Sequence, residues 1–122
     1  MSTAPMPTDA LTELRDDLRR FAAEREWDRF HTPKNLAMAL SGEAGELIEH
    51  FQWLTAEESA SLPAPVRAEV ALEMADVLLY LVRLADILDI DLAEAARRKI
   101  AINAQRYPVE RARGRAEKYD RL

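Results

Sequence analysis

The sequence predicts an all-α protein that folds as a four-helix bundle. Apolar residues recur at helical period over four long stretches, and no alternating apolar and polar run bounded by turn residues indicates a strand. Only three glycines occur in 122 residues, while hydrophobic residues make up 48% and charged residues 32% of the chain. This composition is typical of a folded helical domain, and the length suits one domain with its own core.

The first helix is predicted from about Asp9 to Trp27. Leu11, Leu14 and Leu18 repeat at the spacing of one helix face, and the apolar pattern continues beyond them. Such a pattern indicates an amphipathic helix that packs through one side.

A second helix is predicted to begin at Thr32 and Pro33 and to end near Trp53. Threonine can cap a helix by accepting a backbone N–H, and proline suits the first helical turn. Thr55 and Glu58 then have the spacing of a capping box, which predicts a short helical segment.

The third helix is predicted to begin after Pro63 and Pro65 and is apolar on nearly all sides. A helix of this kind lies at the centre of a bundle or in the middle of an oligomer. Asp91 and Glu94 form another capping pattern, which opens a fourth helix that ends before Pro108. The third helix also predicts that the chain assembles as a dimer or tetramer.

We divide the chain into a disordered segment (residues 1–8), a helical domain (9–108) and a basic tail (109–122). From Arg106 to Leu122, six basic residues stand against three acidic ones. The tail is expected to be solvated, with a flap that contacts phosphate as the alternative.

The composition also excludes several classes of protein. The absence of cysteine excludes disulfides and thiolate metal sites. No apolar run approaches the roughly 20 residues of a membrane helix, and the first residues lack the apolar core of a signal peptide, so a cytoplasmic location is expected. The net charge of −5 argues against binding nucleic acid through charge alone.

Two pairs of acids lie within the apolar second and third helices. Glu43 and Glu46, and likewise Glu73 and Asp76, are three residues apart, so each pair lies on one helix face. Like charges in a partly apolar setting repel one another and resist desolvation. Two such pairs that face each other are best explained by a hard divalent cation between them.

Carboxylates without cysteine favour Mg²⁺, with Mn²⁺ possible, over zinc. The alternative is that the acids face solvent and pair with Arg or Lys. A di-iron carboxylate bundle is a weaker alternative, because it needs Glu-x-x-His on two helices. Neither His31 nor His50 follows a glutamate by three residues.

The segments Gly42–Glu46 and Glu73–Asp76 resemble the E-x-x-E … E-x-x-D signature of MazG-like all-α nucleoside-triphosphate pyrophosphohydrolases. Further segments resemble the dCTP pyrophosphatase branch of that family, and the resemblance covers about residues 10–122. These segments are Arg25–His31, Pro33–Asn35, Phe51–Trp53 and Lys99–Pro108.

The resemblance implies hydrolysis of a nucleoside triphosphate between its α and β phosphates, which gives a monophosphate and pyrophosphate. It assigns catalysis and magnesium binding to Glu43, Glu46, Glu73 and Asp76. Around the base and sugar it implies Trp27, His31, Trp53, Tyr80 and Asn103. The positions that it suits to phosphate contact are Lys99, Arg106 and Tyr107. It also implies assembly as a dimer or tetramer.

One position departs from the pattern of the family. Lys34 stands where close relatives carry arginine, so a phosphate contact there would be a point charge rather than a fork. The general base stays open among Glu46, Glu49 and Glu69.

The main hypothesis is a Mg²⁺-dependent pyrophosphohydrolase that removes dCTP or modified dCTP from the nucleotide pool. A pyrophosphohydrolase of broader or different base specificity is the nearest alternative. A non-catalytic metal-binding helical oligomer is the second alternative, and an RNA-binding role of the basic tail is a poor fit to the acidic chain.

Overall fold

The computed structural model describes residues 9–122, and every regular element among them is helical. The all-α prediction is therefore confirmed. The chain forms two compact units, one that ends at Asp89 and one that begins at Ile90. No helix in residues 9–122 has the length and hydropathy that a bilayer-spanning segment requires. The segment predicted to be disordered, residues 1–8, lies outside the described residues.

Within residues 9–89, the first unit contains four α-helices and one 3-10 turn. They are α1 (Ala10–Glu24), the 3-10 turn (Asp28–Phe30), α2 (Pro33–Glu49), α3 (Ala56–Ser59) and α4 (Ala64–Ile87). The helix α4 packs against both α2 and α1.

Side-chain caps begin two of these helices where the sequence predicts them. Thr32 Oγ1 accepts from the backbone N–H of Asn35 at 3.2 Å, and Pro33 occupies the first turn of α2. Thr55 and Glu58 form a reciprocal capping box at α3, with N···O distances of 2.9 and 3.1 Å. Because these bonds join residues only three apart, the local sequence determines them.

Two helix ends differ from the prediction. The helix α2 ends at Glu49 rather than near Trp53, because the chain continues in turns; the N–H of Leu54 bonds to the carbonyl of Phe51 at 2.9 Å. The helix α1 ends at Glu24 rather than at Trp27.

The end of α1 is set by a left-handed residue, Glu26, whose φ is 55°. Its N–H bonds to the carbonyl of Ala23 at 3.1 Å, and the N–H of Trp27 bonds to the carbonyl of Ala22 at 2.9 Å. This pair of bonds is a Schellman motif, in which glycine usually takes the left-handed position. The motif reverses the chain and directs Trp27 back along α1.

The core of the first unit is small. Its buried hydrophobic residues are Ala22, Leu36, Val70, Val82 and Ala85. The helix α4 is apolar on nearly all sides, yet Leu72 is 69% exposed and Met74 is 57% exposed. Burial within the first unit therefore covers only part of the apolar surface of α4.

The second unit contains α5 (Leu92–Arg106), α6 (Val109–Ala112) and a 3-10 turn (Tyr119–Arg121). Asp91 caps α5 by accepting from the N–H of Glu94 at 3.0 Å, as the sequence predicts. The ring of Tyr119 lies edge-on to Tyr107, with centroids 6.0 Å apart, and Arg106 lies 4.7 Å from its centroid. These aromatic contacts tie the end of the chain to the end of α5.

Candidate metal centre and adjoining cavity

The acid pairs of α2 and α4 come together where the two helices pack. Glu43, Glu73 and Asp76 each offer one carboxylate oxygen, and these oxygens all lie within 4.8 Å of one another. The acid cluster, as we call it, consists of these three residues and Glu46, which acts electrostatically on both Glu43 and Glu73.

Two oxygens of the acid cluster are buried without a partner. Among residues 9–122, Glu43 Oε2 and Glu73 Oε2 are the buried side-chain oxygens that accept no hydrogen bond. A buried acceptor without a partner is unfavourable, and native proteins rarely keep one without a reason. Both atoms therefore point to a ligand that the protein itself does not supply.

The electrostatics of the acid cluster follow from burial and from like charge. Burial raises the pKa of Glu43 to about 7, and the carboxyl groups of Glu46, Asp76 and Glu73 act in the same direction. Burial also raises the pKa of Glu73, again together with Glu46 and Asp76, while His50 acts in the opposite direction. The cluster thus lacks the positive charge that would hold its acids ionised.

A hard divalent cation fits this set of side chains. All the available ligand atoms are carboxylate oxygens, which Mg²⁺ and Mn²⁺ prefer, and two of them have no other partner. Mg²⁺ commonly binds a few carboxylates and completes its coordination with water and substrate phosphate. Such an ion would also supply the missing positive charge.

A cavity of about 470 Å³ adjoins the acid cluster, and Asp76 belongs to both. Trp27, His31 and Tyr80, three of the residues predicted to bind base or sugar, line it. The remaining walls are largely leucine side chains from α1, α2 and α4, such as Leu18. A mostly apolar pocket of this volume with a few polar groups is typical of a small-molecule site.

The aromatic side chains at the cavity pack edge to face. Phe21 and Trp27 have ring centroids 5.6 Å apart at 72°, and Trp27 and His31 have centroids 6.4 Å apart at 67°. Edge-to-face pairs are the favourable arrangement for aromatic rings. The indole of Trp27 thus lies between the rings of Phe21 and His31, where the chain reversal at Glu26 places it.

Of the other predicted substrate contacts, one lies in the first unit and four lie in the second. Trp53 is 87% exposed in the turns after α2 and does not line the cavity. The remaining four belong to the second unit, where Tyr107 is half-buried and the other three are exposed; they are Lys99, Asn103, Arg106 and Tyr107. Their roles stay predictions.

A second charged group at the cavity was missed by the sequence analysis. Arg83 is buried in α4, and its guanidinium reaches three partners: Asp28 at 2.6 Å, His31 at 3.1 Å and Asp86 at 3.3 Å. Arg19 from α1 pairs with both oxygens of Asp86, at 2.8 and 2.5 Å. We call these five residues the ion-pair network. An arginine inside the most apolar helix of the sequence was the signal, because a buried charge needs partners.

The network moves the pKa values of two members downwards. The hydrogen bond from Arg19 holds the pKa of Asp86 below its ordinary value, with further help from the charges of Arg19 and Arg83. Burial lowers the pKa of His31, and the charge of Arg83 adds to this, while Asp28 opposes it. Asp86 is therefore kept ionised and His31 neutral.

Comparisons with known proteins agree with this geometry. A model of the MazG-like family matches residues 38–122. The chain is 46% identical over 121 residues to dCTP pyrophosphatase 1 of Mus musculus, covering 98% of this chain and 70% of that protein. It is also 46% identical over 123 residues to dCTP pyrophosphatase 1 of Homo sapiens, covering 99% of this chain and 71% of that protein. The crystal structure of a pyrophosphatase from Archaeoglobus fulgidus superposes with a TM-score of 0.79 at 40% identity, covering 87% of this chain and 99% of that one.

Proposed function

Because this chain belongs to the MazG-like family, we propose that it is a Mg²⁺-dependent pyrophosphohydrolase that cleaves dCTP or a modified dCTP to the monophosphate and pyrophosphate. That the chain is a hydrolase of the nucleotide diphosphatase class follows from its similarity to the curated dCTP pyrophosphatases and to the solved pyrophosphatase. The observation that carries the proposal is the acid cluster, with two orphaned oxygens, at one end of an apolar cavity. Removal of unwanted nucleotides from the pool is the corresponding role.

The four acids are proposed as both the metal ligands and the catalytic residues. When bound, a divalent ion would neutralise phosphate charge and stabilise the attacking and leaving oxygens. Glu43 would have to give up its proton for the ion, because its pKa of about 7 leaves it partly protonated at neutral pH. The residues that could take a proton from the attacking water are Glu46, Glu49 and Glu69.

The cavity is proposed to hold the base, with the phosphates at the acid cluster. Trp27 and Tyr80 offer aromatic surfaces for stacking, and His31 offers a polar group. Asp76 joins the two regions, so a nucleotide bound in the cavity would direct its phosphates towards the metal centre. The resemblance adds further contacts to base, sugar or phosphate from Trp53, Lys99, Asn103, Arg106 and Tyr107.

Assembly as a homodimer or homotetramer is part of the proposal. Leu72 and Met74 of α4 and Met38 and Ile48 of α2 are all more than half exposed. Large apolar side chains on two neighbouring helices are typical of an interface between subunits. We further propose a cytoplasmic location and no nucleic-acid partner, on the grounds of composition and charge given above.

Purified protein assayed against a panel of nucleoside triphosphates tests the proposal. With Mg²⁺ or Mn²⁺, dCTP or a cytosine-modified dCTP should be turned over fastest, with pyrophosphate as the second product, and EDTA should stop the reaction. Equal turnover of all bases would support the broader specificity instead. Release of orthophosphate would contradict the site of cleavage. Uptake of the ion without turnover of any nucleotide would support the non-catalytic oligomer.

A further inference from the structure

The hydrogen bond between Arg83 and His31 determines where the proton of the imidazole resides. Arg83 Nε lies 3.1 Å from His31 Nδ1, and a guanidinium can only donate. Nδ1 must therefore accept with its lone pair, so the neutral ring carries its hydrogen on Nε2. A charged imidazole would bring a donor against a donor and place two cations together, which burial opposes.

The guanidinium that imposes this arrangement is itself held on two sides. Asp28 accepts from Nη2 at 2.6 Å, and Asp86 accepts from Nη1 at 3.3 Å. The side chain of Arg83 is only 7% exposed. Arg83 therefore has one orientation available, in which its Nε–H points at His31.

The ring of His31 is fixed by its other contacts as well. Its backbone N–H bonds to the carbonyl of Asp28 at 3.2 Å, and its ring meets the edge of Trp27. With Nδ1 engaged, Nε2–H is the polar group of the ring that is left for a ligand, and His31 lines the cavity. The walls of the cavity are largely apolar, for example Leu18 and Leu79, and Asp17, Asp76 and Tyr80 are polar groups on the same walls.

We propose that Arg83 is a positioning residue that holds His31 as its Nε2–H tautomer, so that the cavity offers a fixed neutral donor to an acceptor on the edge of a pyrimidine base. The acceptor is N3 or the O2 carbonyl of cytosine. A donor fixed in a largely apolar pocket favours ligands with an acceptor in the right place, because a ligand without one leaves the donor unpaired. The proposal rests on the proposed function, since it takes the cavity as the base pocket.

Nitrogen NMR of protein labelled with ¹⁵N-histidine tests the tautomer without any assay of activity. The wild type should show a protonated Nε2 and an unprotonated Nδ1 for His31, assigned by the signals that His31→Gln removes. Arg83→Met should shift the ring towards an average of both tautomers. Arg19→Met is the matched control, because it removes an arginine from the same network without touching His31. An unchanged tautomer in Arg83→Met would overturn the proposal.

Steady-state kinetics test the consequence for the substrate. Arg83→Met should raise KM for dCTP about tenfold with kcat changed by less than about twofold, while Arg19→Met leaves KM unchanged. Comparison with dUTP identifies the acceptor, because N3 of uracil is a donor. A rise confined to dCTP assigns N3, and an equal rise for both assigns O2. Equal effects of the two arginine variants on KM would overturn the proposal.

A second variant guards against misfolding of Arg83→Met. Asp28→Asn keeps the buried arginine but weakens its shortest bond, at a side chain that is 61% exposed. It should move the tautomer and KM in the same direction by a smaller factor, and no movement of either would count against the proposal. If the wild type fails to hydrolyse dCTP, the proposed function fails, while the NMR measurement still decides the contact between Arg83 and His31.

Discussion

Two stretches of α4 carry charge in opposite ways. Glu73 and Asp76 belong to the acid cluster, where carboxylates meet carboxylates and two buried oxygens have no partner. About two turns further along the same helix, Arg83 and Asp86 belong to the ion-pair network, where acids and arginines alternate. In the part of the chain that the structure describes, no arginine neutralises the acid cluster, whereas the ion-pair network contains two arginines of its own.

The pKa values record the same difference. Burial raises the pKa of Glu43 to about 7, whereas the hydrogen bond from Arg19 lowers the pKa of Asp86. Both clusters are partly buried, so burial alone does not decide the sign. The partner decides it: an arginine keeps an acid ionised, and another acid does not. We therefore expect the acid cluster to matter chiefly for function, and the pairing of Asp86 with its two arginines to matter chiefly for stability.

Truncation of the acid cluster should have the largest effect. Glu43→Ala and Asp76→Ala should each lower kcat/KM for dCTP by about 10³-fold, because each removes a ligand of the ion that stabilises charge in the transition state. Helical content by circular dichroism should be retained. Glu13→Gln, at an exposed acid in the first turn of α1, is the control and should keep full activity. Activity that survives both truncations would contradict the assignment of the metal centre.

Disruption of the ion-pair network should act on stability instead. Asp86→Asn should lower the free energy of unfolding by about 2–3 kcal/mol, because Asp86 is 10% exposed and serves two arginines. The same change at the exposed pair of Asp17 and Arg20, Asp17→Asn, should cost less than about 0.5 kcal/mol. Urea denaturation measures both. Equal losses would mean that burial of the network adds nothing.

The two clusters should respond to pH in opposite directions. The pKa of Asp86 is lower in the folded protein than in the unfolded chain, so its stabilisation is complete above the unfolded value and is lost as the pH falls through the folded value. The difference in free energy of unfolding between wild type and Asp86→Asn should therefore shrink as the pH is lowered below about 4. A difference that stays constant over this range would contradict the ionised state of Asp86.

In metal-free buffer, the stability contributed by the acid cluster should fall as the pH rises, which is opposite to the behaviour of Asp86. The pKa of Glu43 rises from 4.5 in the unfolded chain to about 7 in the folded protein, so folding is increasingly opposed as the pH rises between these two values. With EDTA present, Glu43→Gln should therefore melt at a higher temperature than the wild type at about pH 8, and this advantage should shrink as the pH is lowered towards about 4. Added Mg²⁺ should raise the melting temperature of the wild type more than that of the variant. A variant that melts lower at both pH values would refute this account.

A single local bond gives the smallest expected effect. Glu58 accepts from the N–H of Thr55, which lowers the pKa of Glu58 without any arginine. Thr55→Ala should cost about 0.5–1 kcal/mol in urea denaturation, because one bond of the capping box is lost. Thr12→Ala is the control, because Thr12 donates to the capping carboxylate of Asp9 through its backbone N–H, which the substitution keeps. A loss of unfolding free energy as large as that of Asp86→Asn would contradict a purely local role of this capping box.

Local chemistry explains what the sequence could predict. Thr32, Thr55 and Asp91 cap helices through residues three positions away, so their patterns are visible in a short window. The spacing of Glu43 and Glu46, and that of the acids on α4, also follows from helix geometry. That the two acid pairs come together could also be predicted, because the apolar stretches of α2 and α4 indicated that these two helices pack against each other.

The features that the sequence did not predict depend on contacts between residues that are far apart in the sequence. Arg83 meets Asp28 and His31 across 55 and 52 positions of sequence, so no local pattern shows which partners it has. The end of α1 was placed too late because Glu26 adopts a left-handed conformation that a glycine would have signalled. The placement of Trp53 outside the cavity likewise follows from turns after α2 that the apolar period did not show.

Glu26 has one more implication, for engineering. A non-glycine residue in the left-handed region costs about 1 kcal/mol of stability relative to glycine, so Glu26 is a position where the protein could be stabilised. Glu26 directly precedes Trp27, whose indole lines the cavity. Glu26→Gly should therefore stabilise the protein and keep the course of the backbone. A β-branched residue at position 26 should instead strain the turn and displace the indole of Trp27, which would change the shape of the cavity without altering any residue that lines it.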